Sequence, residues 1–430
     1  MPSLSPLASP SAPHAVLAKH GLATKKALGQ NFLVNDAVLR KIVSLAELAP
    51  DDVVLEVGPG IGTLTIALLK HAAFVVSVER DGDLPAMLAE TCAPWAERFA
   101  LINKDALAVS AADVESALEG LFRRQAPSGA GASKEGAVER PVACDDAAAM
   151  LFGSAAARLL FPNKLLPNKF VANLPYAVAA TLVLDYFERF PWLESATVMV
   201  QKEVADRMMA RPGTKDYGAF TVKLALHAQP TGRFPVAPNS FFPPPRVMSA
   251  VLRLDRCELR DEEGVPVSAA VKQAAARMAD AAFANRRKTI ANSCKTYFAG
   301  RCAGPAPRTF DANGGLGATG KPQTRDCGSV PAMATMEAST ATAAMEAKAA
   351  NRIVTALPLL LEQADIDPRR RGETLSIQEF IRLGKAYAKL ISSKMPSIIP
   401  RKCQITLRSG MREEICYGSE KPMGYKPRVV

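Results

Sequence analysis

The stretch Phe170-Val-Ala-Asn-Leu-Pro-Tyr176 carries the residue types that a reaction at an exocyclic amine needs. Phe170, Val171 and Ala172 form a short apolar run suited to a buried strand, and Pro175, which has no backbone donor, cannot continue it. Asn173 therefore falls where the strand ends. Its amide offers one carbonyl acceptor and two donors, the Leu174 carbonyl is left free by the proline, and Tyr176 adds a flat apolar face with a polar tip. Asn173 and the Leu174 carbonyl can accept the two hydrogens of an amino group and orient its lone pair while Tyr176 packs on the ring. Taken alone, the same residues read more simply as a strand entering an Asn-x-Pro turn. The surrounding motifs decide between the two.

Three earlier segments end in ligand-type residues. Val53-Val-Leu-Glu-Val-Gly-Pro-Gly-Ile-Gly62 is a buried strand running through glycines into a helix from about Thr63 to Lys70, which lets the backbone pass close to a ligand at the strand's carboxyl end. Its Gly-x-Gly-x-Gly spacing differs from the dinucleotide fingerprint, in which pyrophosphate rests on the helix N-terminus. The next strand, Phe74 to Val78, leads into Glu79, nineteen residues beyond Gly60, the position from which an acid accepts hydrogen bonds from ribose hydroxyls. A third strand, Ala100 to Asn103, precedes Asp105, which is placed to receive an adenine amino group. Ahead of all three, Gln30 and Asn31 sit in a basic segment with no evident folding need for them. Asn35 or Asp36 caps the helix that follows, with Val38, Ile42, Val43 and Leu45 on its apolar face.

The elements that must position these residues belong to a chain of 430 residues, long enough for two domains and extra material. A formal charge of +11 and a pI near 9.3 favour a polyanionic partner without establishing one. Eight cysteines without a Cys-x-x-Cys pair and four histidines indicate neither a zinc site nor a disulfide framework, so a reducing cytoplasmic setting and no metal are expected. No apolar run is long enough to span a bilayer, so no membrane partner is expected. The Ser/Pro/Ala-rich first residues lack the apolar centre of a secretory signal and read as a short disordered tail. Beyond Tyr176, a helix from about Val178 to Phe190, a strand Thr197 to Val200 and a helix from Gln201 continue the alternation. Phe234–Val236 and Ser249–Leu254 suit a closing antiparallel hairpin with Phe241 at its bend.

Gly29-Gln-Asn-Phe-Leu33, the glycine loop, Glu79, Asp105 and Asn173-Leu-Pro-Tyr176 together resemble the KsgA-type small-subunit rRNA adenine dimethyltransferases. Gln201-Lys-Glu-Val-Ala-Asp-Arg207, Lys215-Asp-Tyr-Gly218, Phe241-Phe-Pro-Pro-Pro-Arg-Val247 and Phe283-Ala-Asn-Arg-Arg-Lys-Thr-Ile290 extend the resemblance in order. It implies an α/β fold, in which a Rossmann-like S-adenosylmethionine-dependent methyltransferase domain precedes a small all-α C-terminal domain. It also implies dimethylation of two adjacent adenines near the 3′ end of small-subunit rRNA, in an assembling ribosomal subunit, by a monomer. By that resemblance Gln30, Asn31, Leu33, Gly58 and Gly60 line the cofactor pocket, Glu79 holds the ribose, and Asp105 reads the cofactor's adenine. Asn173 faces both the cofactor and the target amine, Leu174, Pro175 and Tyr176 complete the clamp, and Phe241 stacks on the far face of the base. Between Val271 and Gly300 the chain holds six Lys or Arg and one Asp. Arg286, Arg287 and Lys288 there, with Lys202 and Arg246, are candidates for phosphate contacts, and Lys25, Lys26 and Arg207 are further ones.

The expected organisation is a tail (1–24), the methyltransferase domain (25–258, with an insertion at about 108–167), a helical rRNA-binding domain (259–391, with an insertion at about 300–350) and a C-terminal tail (392–430). Both insertions depart from the family pattern, and Gly/Ala-rich, sparsely apolar composition makes them candidates for disorder. In Arg371-Gly-Glu-Thr-Leu375, Thr374 replaces the family's Asn. Two other readings share the motifs: a large-subunit rRNA adenine methyltransferase conferring macrolide resistance, and a non-catalytic nucleic-acid-binding assembly or transcription factor.

Overall fold

The computed structural model describes residues 2–25, 29–125, 166–300 and 351–392. Seven strands form one sheet: β2 (Val53–Val57), β3 (Phe74–Glu79), β4 (Phe99–Asn103), β5 (Lys169–Asn173), β6 (Ser195–Gln201), β7 (Ala228–Val236) and β9 (Ser249–Arg256), in the spatial order β4-β3-β2-β5-β6-β9-β7. The first five in that order run parallel, and β9 pairs antiparallel with both β6 and β7. Two short strands, β1 (Phe32–Leu33) and β8 (Phe241–Phe242), pair separately. From β2 the chain builds outward through β3 and β4, then returns to β5 on the other side, so the strand order reverses between β2 and β5. Ligands of open α/β sheets bind at that reversal. Here the two strands pair only at Val54 with Lys169 and Leu55 with Phe170. Beyond these pairs the ladder stops, and the crevice at the strand ends is lined by both Gly58 and Asn173.

Side chains alternate along a strand, so β2 serves two cores. Val53, Leu55 and Val57 face a cluster with Val114, Leu118, Leu121, Leu182 and Tyr186, whereas Val54 faces one with Leu39, Ile42, Leu64 and Ile66. On its second face β2 also carries Glu56, fully enclosed and accepting hydrogen bonds from Thr65 Oγ1 (2.8 Å) and Ser77 Oγ (2.6 Å). Burial pushes this carboxyl up to about 7, against the pull of the two hydroxyls.

Two expectations differ from the structure. The first residues are not a loose tail. Ala12–Lys19 is a helix (α1), Leu7 and Leu17 are buried in the second cluster, and Ser3 Oγ and the Leu4 N–H both donate to Asp36. Ser/Pro/Ala-rich composition hid an apolar set, Leu4, Leu7, Val16 and Leu17, that packs. Likewise the expected insertion at 108–167 begins with a core element. Ala111–Gln125 is a helix (α5) whose Val114, Leu118 and Leu121 recur at i, i+4 and i+7. Near its end Phe122 meets Phe74, the first residue of β3, edge to face at 5.2 Å. The chain thus leaves the described fold at the edge where the strands begin, and β5 starts from that same edge. Residues 126–165 of that insertion, the segment at 301–350, the tail beyond 392 and Lys26 lie outside the described residues.

After β9 the chain becomes helical: Ala269–Phe283, Ile290–Gly300, 351–363 and Ile377–Ser392 enclose a third cluster, to which Tyr217 and Val222 of the first part also belong. Alanines on the first of these helices allow close approach by the last. A Cβ at Gly384 would stand 2.8 Å from the Cβ of Ala275.

Candidate active site

The glycine loop between β2 and its helix α3 (Thr63–Leu69) takes positive φ at Gly58 (71°), Gly60 (58°) and Gly62 (91°), a region that side chains rarely enter. At Gly60 the requirement is double, because a Cβ would also stand 2.8 Å from the Phe32 ring. The loop thereby presents bare backbone to a cavity of about 460 Å3, within the roughly 300–1,000 Å3 of small-molecule sites.

Glu79, at the end of β3, projects into this cavity from an 8 % exposed position. It accepts the Asp81 N–H at 2.8 Å, and the Gly60 and Arg80 N–H groups as well. Burial raises its carboxyl above the usual range and the nearby Asp81 charge adds to this, while those backbone donors oppose it. Asp105, half exposed, caps the turn after β4 by accepting the Leu107 N–H at 3.0 Å and lies 3.5 Å from Arg80. One further group bears on what fits here. Thr63 Oγ1, on the cavity wall, is buried with no hydrogen-bond partner among the described residues, so a polar ligand would complete it.

Across the crevice, Asn173 Nδ2 donates to the carbonyl of Asn31 at 3.1 Å. A backbone carbonyl can only accept, which assigns the two ends of the amide and leaves Asn173 Oδ1 as the acceptor. The Leu174 N–H is held by the Met199 carbonyl at 3.1 Å, and the Leu174 carbonyl has no donor among the described residues. Tyr176 is fixed through its hydroxyl to Ser249 Oγ at 2.7 Å, and burial pushes its phenol up. The segment supplying Asn31 is latched in turn: Gln30 Nε2 donates to Asp81 at 2.8 Å, its Oε1 accepts the Lys25 N–H, and Lys25 Nζ bridges Asp81 and Asp83. Gln30 is therefore engaged with protein groups.

The structure gathers Gln30, Asn31, Leu33, Gly58, Gly60, Glu79 and Asp105 with Asn173, Leu174, Pro175 and Tyr176 around one cavity. Phe241, expected as the far stacking face, is not on that wall. It is 4 % exposed in the second cluster and pairs with Leu33, because the β1–β8 pairing turns it inward. Tyr176 is the wall's aromatic from the clamp motif. Lys202 follows Gln201, a wall residue, and pairs with Asp206 at 2.8 Å. Arg246 and Arg207 are exposed. Arg286 pairs with Glu373 at 3.2 Å, and Arg287 and Lys288 are exposed without ion pairs among the described residues. Sequence reasoning missed Thr63, Asp81 and Gln201. Each had a signal in being the first residue of the helix, two past the strand-end acid, or itself a strand end. Among the described residues no cluster of His, Cys, Asp and Glu is placed to hold a metal ion, and no helix is long and apolar enough to cross a membrane.

The family model described as ribosomal RNA adenine dimethylase matches residues 21–305. The ribosomal RNA small subunit methyltransferase A of Geobacillus kaustophilus is 31 % identical over 389 residues, 89 % of this chain and 98 % of that protein. Its namesake in Lachnoclostridium phytofermentans is 34 % identical over 286 residues, 66 % of this chain and 82 % of that one. A solved dimethyladenosine transferase from Plasmodium falciparum aligns over 84 % of this chain and 98 % of its own with a TM-score of 0.51 and 19 % identity, a likeness of fold. On the matched length and these identities, the chain belongs to the ribosomal RNA adenine dimethylase family.

Proposed function

We propose that this protein dimethylates the N6 amines of two adjacent adenines near the 3′ end of small-subunit rRNA, acting in the cytoplasm as a monomer on the assembling subunit. Membership of the dimethylase family and the small-subunit methyltransferases among its relatives support the substrate. The observation that carries the chemistry is the Asn173 amide, tied by its nitrogen to Asn31 so that Oδ1 and the unpaired Leu174 carbonyl form two acceptors at one cavity edge.

S-adenosylmethionine supplies an activated methyl group on its sulfonium. Glu79 would hold the ribose hydroxyls, with Gly58 and Gly60 admitting the chain of the cofactor close to the backbone and Thr63 Oγ1 meeting a polar group of it. Asp105 would accept the cofactor's adenine amine once its local cap is shared. An adenine taken out of its stack would lie on Tyr176, since an amine inside a helix is out of reach. Asn173 Oδ1 and the Leu174 carbonyl accept its two N–H groups and turn the nitrogen lone pair toward the methyl carbon. With the lone pair so aimed, the activated methyl group would pass to the nitrogen, leaving the thioether behind, and the amine proton would leave afterwards to water. Orientation and exclusion of water account for most of the rate. In a second round the monomethylated amine, with one N–H left, would be held through that hydrogen by one of the two acceptors.

The test is incubation with isotope-labelled S-adenosylmethionine and unmethylated small-subunit particles, followed by mapping of dimethyladenosine. Label at two adjacent adenines near the 3′ end is expected, and label elsewhere in the small-subunit rRNA, or none, would overturn the reading.

A further inference from the structure

A second cavity, of about 550 Å3, lies between the helices Ala179–Arg189 and Ala269–Phe283. It is remote from the first. Arg256 on its wall ends β9 beside the Ser195–Asp255 pair at the start of β6, whereas Gln201 of the first cavity ends that strand. At ~3.3 Å per residue the two hollows stand roughly 20 Å apart, at opposite edges of the sheet.

Its lining is charged in an uneven way. Lys272, Arg277 and Asp280 share one face of their helix, and Lys223, His227, Arg256 and Glu188 face them. Lys223 pairs with Asp280 at 2.6 Å, and Glu188 stands 3.7 Å from His227. Arg256 donates its Nε–H to the Leu193 carbonyl and its Nη2 hydrogens to the Phe187 and Phe190 carbonyls, 2.9 Å each, which fixes its plane without neutralising its charge and leaves Nη1 without a partner among the described residues. Lys272 and Arg277 have no hydrogen-bond or ion-pair partner among the described residues. Burial holds Lys272 below the usual lysine range, and burial with the charges of Lys272 and Arg256 brings His227 down to about 4. A half-buried Lys272 without an ion-pair partner is costly, Arg277 lies exposed beside it, and the helix bearing both begins here, at Ala269, with its positive end.

The geometry points to an anion site in this cavity that takes a phosphate group between Lys272, Arg277 and the anchored guanidinium of Arg256. A guanidinium held flat keeps its remaining Nη1 hydrogens in a fixed direction for a phosphate oxygen, and two cations without ion-pair partners complete the cradle. The phosphate is either a backbone group of bound RNA or free in solution. The site stands apart from the reaction assigned to the first cavity.

The experiment uses the full chain and inorganic phosphate, read by the NMR titration of the His227 imidazole, assigned with His227→Gln. Phosphate is expected to shift that signal saturably and to raise its midpoint by roughly one pH unit, as an added negative charge does. The Lys272→Gln/Arg277→Gln variant should melt at a similar temperature and lose the response. No saturable response, or an undiminished one in the variant, overturns the site. The source is then read from methyl transfer to small-subunit particles. A rise in KM of about tenfold in the variant, with unchanged S-adenosylmethionine affinity, assigns the phosphate to RNA. An unchanged KM with the lost NMR response assigns it to free phosphate.

Discussion

The Asn173 side chain and the Asn31 backbone meet across the crevice at 3.1 Å, so the acceptor end of the carboxamide is oriented by a residue 142 positions away in the chain. Asn173→Asp would place a carboxylate oxygen against that carbonyl and repel it. A kcat loss of about 10²–10³-fold is expected for Asn173→Asp and for Asn173→Ala, the size seen when one preorganised polar contact to the reacting centre is removed. S-adenosylmethionine affinity should change little. Single-turnover methylation with a parallel binding titration reads both, and full turnover in either variant would remove Asn173 from the clamp.

Glu79 governs a different step. Glu79→Ala should weaken S-adenosylmethionine binding by about 1–3 kcal/mol, the cost of a lost charge-assisted hydrogen bond. Because burial raises this carboxyl, it takes up a proton at a higher pH than an ordinary glutamate. Cofactor affinity should therefore fall on acidification earlier than an exposed acid would allow, and calorimetric Kd values across a pH series should show this for the wild type and not for Glu79→Gln.

Glu56 leaves a signature in stability. The folded carboxyl holds its proton to about pH 7 and the ordinary value is 4.5. Between these the folded chain binds more protons than the unfolded one, so this group's contribution is full below about 4.5 and declines as pH rises through 7. The span corresponds to up to about 3 kcal/mol. Melting temperatures of Glu56→Gln should lack this decline, and parallel Tm curves for the two proteins would contradict the assignment.

Arg287 and Lys288 are expected to contact phosphates more directly than Arg286, which Glu373 already engages. Arg287→Glu with Lys288→Glu should weaken rRNA binding and lower the slope of log affinity against log salt by about one per lost contact. Filter binding at several salt concentrations measures it, and an unaltered slope would place the RNA elsewhere.

What was legible in the sequence was local. A buried strand followed at once by a glycine turn, an acid or an amide declares both its direction and its end, which is why Gly58, Glu79, Asp105 and Asn173 could be placed on one edge before any coordinates. What escaped depended on distant pairing. Phe241 turns inward because β8 finds β1 two hundred residues upstream, and Gln30, on the cavity wall, is tied to Asp81. The helix Ala111–Gln125 was concealed because its three core residues are diluted by alanine, acid and base. Thr63 stood in plain view, yet only the enclosure around it reveals an oxygen without a partner.

The chain departs from the described fold after Phe122 has met Phe74, and re-enters just before β5. Both points sit at the pole of the sheet away from Asn173 and Glu79. Length can accordingly be spliced in there without retuning the catalytic geometry, which keeps the protein's growth zone and its working face at opposite ends of the same strands.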